Sequence, residues 1–280
     1  ERIVVNVLPN TTRSGVYKNK RNTSFNSTLD SAIVYKKKSI EKSVEFIKES
    51  LKQSKSVKNN AEAHEVLADI YMYWKQYDLA VNYYRISLNS LKTNEVNLKL
   101  AEAYKKNKNY LESLSFYNDL TKKELSNYQL VELHEGIGDV HFEIKEFEKA
   151  IEAYKKGLEK AKKHLISPKV TNLNSKIAES YNKKGAINEA EEYFDNSLDL
   201  ASKQNKTRAV QEKLKVADLN NSNQFFDREI ELRKQSIEDI KDIEKDSIID
   251  NESSLTVQKQ NYKIGNAYYL QRNYEANNRH

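Results

Sequence analysis

The stretch A-E-A-H-E-V-L-A-D-I-Y-M-Y-W-K-Q-Y-D-L-A-V-N-Y-Y, residues 61–84, contains two amphipathic segments separated by a short polar break. Counting from Leu67, a small residue follows at +1 and an aromatic residue at +4, and these positions share one helical face with Leu67. Small, aliphatic and aromatic residues then stand at +13, +14 and +17, on the face of a second helix. Because small residues let helices approach closely, the stretch predicts a pair of packed antiparallel helices.

The same pattern returns five times further along the chain. We call Leu67 and its counterparts the anchors of the repeats, and number other positions from them; the anchors are Leu67, Leu100, Ile137, Ile177, Val216 and Ile264. Each anchor is followed at +1 by Ala or Gly, and successive anchors are separated by 33, 37, 40, 39 and 48 residues. Since a single helix pair cannot bury both of its apolar faces, successive pairs are expected to stack.

At these positions the chain resembles the tetratricopeptide repeat family, whose unit is ~34 residues with the pattern L-G-x-x-Y…A-x-x-x-F. The resemblance covers residues 61–280 and implies an all-α fold, a right-handed superhelix (α-solenoid) of antiparallel helix pairs. We expect about six units in 61–280, the last one incomplete. A degenerate first helical repeat is expected at 27–60, and a poorly ordered basic N-terminal segment at 1–26.

The repeat of Val216 departs from the pattern. It has Asn220 at +4, Glu229 at the small position +13 and Arg233 at the aromatic position +17. Its second helix is predicted to be lengthened and to bury Ile230, Ile237 and Ile240, since these residues recur at helical spacing.

Composition excludes several classes of protein. The chain has 280 residues, no Cys, six Gly and two Pro, which leaves out disulfides, thiolate chemistry and a hairpin-rich fold. No apolar run approaches the ~18 residues of a membrane-spanning helix. The net charge is +6, but residues 1–26 carry five basic residues against one acid, so the repeats are close to neutral. We therefore expect no nucleic-acid partner.

Enzymatic motifs are missing from the sequence, so neither catalytic residues nor a cofactor is predicted. His134 and His141 are seven residues apart and would face the same way on one helix. However, His141 occupies the +4 packing position and His134 stands three residues before an anchor. We interpret both as packing residues and predict no metal site.

The candidate binding residues form a stripe on the first helices. Positions −5, −2, +2, +5 and +6 lie ~140–240° round the helix from the anchor, away from the packing face. In the resembled family this face lines the concave groove that binds peptides. The stripe contains mostly acids with a few apolar residues: Glu62, Glu65, Asp69, Met72, Tyr73, Glu102, Glu135, Asp139, Phe142, Glu143, Glu179 and Asp218.

The stripe predicts a protein or peptide partner, of cationic character. The alternative is that exposed helix positions simply favour Glu and form a solvated face. Family members that clamp a partner's C-terminal carboxylate use basic and amide side chains in the groove, so the acids here argue against that role.

Two segments suggest a more specific context. N-Q-F-F-D-R-E-I-E-L-R-K-Q-S-I-E (223–238) and K-I-G-N-A-Y-Y-L-Q-R-N-Y-E (263–275) resemble extracytoplasmic repeat regions of bacterial sensor histidine kinases. That resemblance implies a ligand- or partner-sensing region and a periplasmic or extracytoplasmic location. The main alternative is a free-standing scaffold or chaperone-like adaptor, which would be cytoplasmic. An RNA-binding repeat protein is the third interpretation in order of preference, and an enzyme is the last. The oligomeric state is left open.

Overall fold

The computed structural model describes residues 23–165, 167–245 and 251–277. In these ranges the chain forms α-helices and no strand. The helices are α1 Thr23–Tyr35, α2 Ile40–Gln53, α3 Val57–Tyr73, α4 Tyr77–Ser90, α5 Asn94–Lys106, α6 Tyr110–Leu120, α7 Asn127–Glu143, α8 Phe147–Lys163, α9 Ser167–Lys184, α10 Ile187–Gln204, α11 Lys206–Ser222, α12 Phe226–Lys245 and α13 Asn251–Asn277. The prediction of an all-α repeat fold is confirmed.

Within the repeats, the break between the two helices falls at the same place each time. The second helix begins at anchor +10 in five repeats: Tyr77, Tyr110, Phe147, Ile187 and Phe226. Two residues earlier, at +8, the backbone takes a positive φ: Lys75, Lys108, Lys145, Gly185 and Gln224. This left-handed residue ends the first helix.

A backbone hydrogen bond closes each of these turns. The N–H at +9 donates to the carbonyl of the +4 residue, as in Gln76 to Tyr71 at 2.9 Å and Glu146 to His141 at 2.8 Å. The bond satisfies a carbonyl that the end of the first helix would otherwise leave unpaired. Because the turn is short, the second helix returns antiparallel to the first.

Close contact between paired helices depends on the small residues that the pattern predicts. Ala68, Ala80, Ala150 and Ala190 are buried at the +1 or +13 position. At Gly138 a Cβ atom would lie only 2.5 Å from the ring of Tyr154. Small residues at these positions therefore let an aromatic ring of one helix rest on the backbone of the other.

The chain divides into two compact units, Glu1–Phe116 and Tyr117–His280. In the first unit, the core of α1–α3 includes Phe25, Leu29 and Ile47, and the core of α3–α5 includes Leu88 and Leu100. The second unit has a core along α7–α9 around Leu158, Leu173 and Ile177, and another along α9–α12 around Phe194 and Val216. Every helix pair thus shares its apolar residues with the next pair of its unit.

The N-terminal pair α1–α2 lies where the degenerate repeat is predicted, although α3 begins at Val57 and not at residue 61. Of the predicted poorly ordered segment 1–26, residues 1–22 lie outside the described ranges, and the rest opens α1. The last predicted unit differs from the others. Its helix α13 passes through anchor +8 (Arg272) without a left-handed turn, and no partner helix folds back on it within the described residues.

The repeat of Val216 buries a polar network. The Arg233 guanidinium donates to Glu229 at 2.8 Å, to Gln260 of α13 at 2.7 Å and to Asp218 at 2.5 Å. Arg233, Glu229 and Gln260 are all buried. The predicted departures at +13 and +17 are thus mutual partners: an ion pair replaces the alanine and tyrosine of the Leu67 and Ile137 repeats. Ile230, Ile237 and Ile240 of α12 are buried, as their spacing predicts.

None of the helices in the described ranges is both long enough and apolar enough to span a bilayer.

Candidate functional site

The predicted acidic stripe begins in the first unit with two carboxylates of α3. Glu65 and Asp69 lie one helical turn apart, and Lys99 of α5 reaches both, at 2.7 and 3.0 Å. The hydroxyl of Tyr84 on α4 also donates to Asp69. Asp69 therefore accepts from the second helix of its own repeat and from the first helix of the next.

The second unit repeats this arrangement on α7. Lys176 of α9 lies 2.9 Å from Glu135 and 2.5 Å from Asp139. The Tyr154 hydroxyl donates to Asp139 at 2.8 Å, and Lys169 contacts Glu135 at 2.7 Å. The two constellations use equivalent positions: acids at −2 and +2, tyrosine at +17, and lysine at −1 of the following repeat.

The later acids of the stripe have similar partners. Lys215 lies 3.5 Å from Glu179. Lys263 lies 2.6 Å from Asp218, which also accepts from Arg233. In this last case arginine takes the place that tyrosine holds in the other repeats.

A lysine at the −1 position is the feature that the sequence analysis missed. It precedes four anchors: Lys99, Lys176, Lys215 and Lys263. In each case its ammonium group contacts the +2 acid of the preceding repeat. Its recurrence in the sequence could have shown that much of the acidic stripe is neutralised within the fold.

The pKa values of the two −2 acids, Glu65 and Glu135, are shifted in opposite directions. Burial raises the pKa of Glu65 above its usual value, and the opposing effect of Lys99 is too small to reverse the shift. Burial also disfavours the ionised form of Glu135, but Lys176 and Lys169 together outweigh it, so the pKa of Glu135 is lowered. Glu65 has one lysine partner and is also repelled by Asp69 and Glu95, whereas Glu135 has two lysine partners.

The apolar members of the stripe lie against the fold. Met72 packs on the α3–α5 core. Tyr73 is exposed, with its ring edge-on to Trp74 at 5.9 Å between centroids. Phe142 packs edge-on against Phe147 at 5.6 Å. Only part of each side chain is therefore available to a ligand.

The remaining acids differ in accessibility. Glu102 contacts Lys105 at 2.5 Å, and Glu62 is half-buried on α3. Glu143 is exposed at the end of α7, and among the described residues it has no hydrogen bond or ion pair. The structure thus brings together Glu65 with Asp69 in the first unit, and Glu135 with Asp139 in the second.

The two histidines interact with the chain itself. His141 Nδ1 lies 2.7 Å from a carboxylate oxygen of Glu146. Burial lowers the pKa of His134, and the nearby Lys156 and Lys160 lower it further. No cluster of three or more metal-ligating side chains occurs in the described part of the chain.

Two segments of the chain, residues 61–88 and 131–164, match the family model of the tetratricopeptide repeat. The matches support the tetratricopeptide repeat family. They cover most of α3 and of α4, and most of α7 with all of α8, the two pairs that carry the constellations of Asp69 and Asp139. No curated protein sequence matches the chain.

Solved structures with tetratricopeptide-like folds resemble most of the chain. The apo form of RapI has a TM-score of 0.61 at 16% identity, covering 86% of this chain and 99% of that one. A Rap protein complexed with competence and sporulation factor has a TM-score of 0.58 at 13% identity, covering 89% and 76%.

A signal transduction ATPase with a tetratricopeptide repeat sensor, from Pyrococcus horikoshii, has a TM-score of 0.64 at 15% identity, covering 90% of this chain and 43% of that one. At these identities the similarity of all three structures shows the fold alone.

Proposed function

We propose that this chain is a non-catalytic interaction module that binds a protein or peptide segment on the exposed face of its first helices. The fold and the two matched repeats support binding to proteins or peptides. The Rap protein complexed with competence and sporulation factor is one relative in fold that binds a partner. The finer proposal is that the partner segment is cationic and that α7 receives it.

The observation that carries this proposal is how the α7 face holds an ammonium group. Lys169 lies 5.5 Å from the ring centroid of Tyr128 and 2.7 Å from Glu135. An aromatic face beside a carboxylate is a favourable site for a cation. Because Tyr128 is exposed, the side of the site that faces solvent is open to a lysine or arginine of a partner.

The net charge of the α7 face also favours a cationic ligand. Glu132, Glu135, Asp139 and Glu143 recur along α7 at spacings of three or four residues, on one side of the helix. Lys169 of α9 contacts Glu135, and Lys176 of α9 contacts Asp139. Carboxylates therefore outnumber ammonium groups. Exposed ion pairs contribute about 0–1 kcal/mol each, so affinity should be modest and should fall with salt.

Binding of a lysine-rich dodecapeptide, measured by fluorescence anisotropy, tests the proposal. Glu132→Gln with Glu143→Gln should weaken binding several-fold, because both acids face the ligand while Glu135 and Asp139 remain to support the fold. Lys169→Gln should strengthen binding, since it removes a positive charge from the face and one of the two lysines that contact Glu135. The control, Glu148→Gln with Glu159→Gln, removes the same charge from exposed positions of α8. If the control weakens binding as much as the α7 variant, the α7 face is not the site.

The sensor role is a separate, finer proposal. Residues 223–238 and 263–275 resemble the sensing regions of bacterial histidine kinases, in which binding would be relayed to an attached kinase core. A free-standing scaffold that assembles a protein complex is equally consistent with the fold. The coding sequence on either side of these residues decides between them. A signal peptide upstream with a membrane helix and kinase core downstream would establish the sensor, whereas their absence would contradict it.

A further inference from the structure

A second charged surface lies in the first unit, where the α1–α2 and α3–α4 turns meet. We call it the loop patch; it consists of residues 35–38, Lys42, Tyr73 and Trp74. The Trp74 indole N–H donates to the Lys36 carbonyl at 2.9 Å, which joins the two turns. Tyr73 packs edge-on against Trp74, so that two aromatic rings and a run of lysines share one surface.

The aromatic rings of the loop patch position its ammonium groups. Lys38 and Lys42 both lie over the ring of Tyr35, at 5.9 and 5.4 Å from its centroid. Lys36 lies 6.0 Å from the centroid of Tyr73. Cation–π contacts restrain a flexible lysine without neutralising its charge. The patch therefore presents ordered positive charge.

Lys37, Lys38 and Lys42 differ from Lys99 and Lys176 in having no carboxylate partner among the described residues, whereas Lys36 is attracted by Asp69. Across the described ranges, Lys36, Lys37, Lys38 and Lys42 form no ion pair, and Lys37, Lys38 and Lys42 are exposed. The adjacent acid, Glu41, accepts a hydrogen bond from the Ser39 hydroxyl at 2.8 Å. Like charges held together without counter-charge raise the local potential and favour an anionic partner.

We infer that the loop patch is a docking site for an acidic, Asp/Glu-rich segment of a partner protein. Charge complementarity selects an anion. The rings select against single-stranded nucleic acid, because bases need open aromatic faces on which to stack. Here lysines of the chain itself lie over the faces of Tyr35 and Tyr73, whereas carboxylates need only the ammonium groups. The site is independent of the α7 face, which lies in the other unit and has the opposite charge.

The chain contains a single tryptophan, so the intrinsic fluorescence of Trp74 reports from the patch itself. The whole chain is titrated with a dodecapeptide containing six glutamates. Trp74 emission should change with peptide concentration until the site is saturated. The change should be lost in about 0.5 M salt, because salt at this concentration screens surface ion pairs. A dodecapeptide with six glutamines should leave the emission unchanged.

Lys37→Gln, Lys38→Gln and Lys42→Gln combined should weaken binding of the acidic peptide about tenfold, because three unpaired charges are removed from the patch. The matched control replaces Lys92, Lys123 and Lys162 by Gln. These residues are also exposed and without ion pairs in the described chain, so the net charge changes equally. An unchanged affinity in the patch variant, or an equal loss in the control, would overturn the site. If an oligouridylate of equal charge binds more tightly than the acidic peptide, the partner of the loop patch is a nucleic acid and not an acidic protein segment.

Discussion

Lys176 places its ammonium nitrogen 2.5 Å from a carboxylate oxygen of Asp139, which precedes it by 37 residues. The contact joins the first helices of two consecutive repeats. Lys99 and Asp69 make the equivalent contact at 3.0 Å, and Lys263 and Asp218 at 2.6 Å. Apolar packing alone allows small shifts between stacked pairs, whereas an ion pair at a fixed position restricts them. The acids of the stripe therefore hold neighbouring repeats together.

Replacing Lys176 by Met should reduce the free energy of unfolding by about 1–3 kcal/mol, because Glu135 and Asp139 would lose a charged partner in a mostly buried setting. Urea unfolding followed by circular dichroism measures the change. The control is Lys203→Met, whose pair with Asp199 is exposed on both sides, and it should cost less than about 0.5 kcal/mol. Equal losses in the two variants would show that Lys176 does not join the repeats.

The −2 acids should affect the pH dependence of stability in opposite directions. The folded-state pKa of Glu135 is lowered, so its ionised form stabilises the fold above pH ~4.5, and this contribution is lost as pH falls through the folded pKa. Glu135→Gln should therefore lower the unfolding free energy at pH 7 and have little effect near pH 3. The folded-state pKa of Glu65 is raised, so its charge is a cost at pH 7 that acid removes.

Glu65→Gln should accordingly raise the unfolding free energy slightly at pH 7 and not near pH 3. Urea midpoints of the two variants and the parent chain at both pH values provide the comparison. The two variants serve as controls for each other, because Glu65 and Glu135 both occupy the −2 position of a repeat. If both variants lose stability at pH 7 by the same amount, the second lysine does not reverse the balance at Glu135.

The repeat pattern made the fold predictable, because its recurring positions indicate which residues pack between the helices. The recurring positions +1, +4, +13, +14 and +17 predicted two helices in each repeat, but the start of the second helix at +10 was not predicted. The site was less predictable. Acids at +2 look alike whether they face solvent or a lysine, and the Lys176–Asp139 contact depends on how two repeats stack. The end of α13 was also unpredictable, since a turn at Arg272 needs a second helix to pack against.

Gly138→Ala should destabilise the second unit by about 1–3 kcal/mol through overpacking, because the added methyl group would meet the Tyr154 ring. The Tyr154 hydroxyl would then lose its alignment with Asp139. Thermal unfolding of Gly265→Ala supplies the contrast. At Gly265 in α13 nothing lies within 4 Å of an added Cβ, so alanine should stabilise by about 0.5–1 kcal/mol. A Gly138 variant that melts at the parental temperature would show that Tyr154 can move aside.

Lys145→Gly should stabilise the chain by about 0.5–1 kcal/mol. Lys145 has a φ of 64°, a left-handed conformation that strains an L-residue, and its side chain has no ion pair among the described residues. Gly185 shows that glycine fits the same +8 position, with a φ of 86°. The converse substitution, Gly185→Ala, should destabilise by a similar amount. Calorimetric unfolding of both variants checks the pair, and a loss of stability in Lys145→Gly would mean that the lysine makes a contribution beyond its backbone.

The buried Glu229–Arg233 pair replaces the alanine and tyrosine that the Leu67 and Ile137 repeats have at +13 and +17. Arg233→Tyr alone should therefore destabilise by about 3–5 kcal/mol, because Glu229 would remain buried without its cation. Adding Glu229→Ala restores the pattern of the Leu67 and Ile137 repeats, in which the tyrosine hydroxyl donates to the +2 acid. The double variant should recover most of the lost stability, with Tyr at 233 donating to Asp218. Urea unfolding of the parent, both single variants and the double variant gives the coupling energy. A double variant no more stable than Arg233→Tyr would show that the loss comes from the missing contact between Arg233 and Gln260 of α13, and not from an unpaired Glu229.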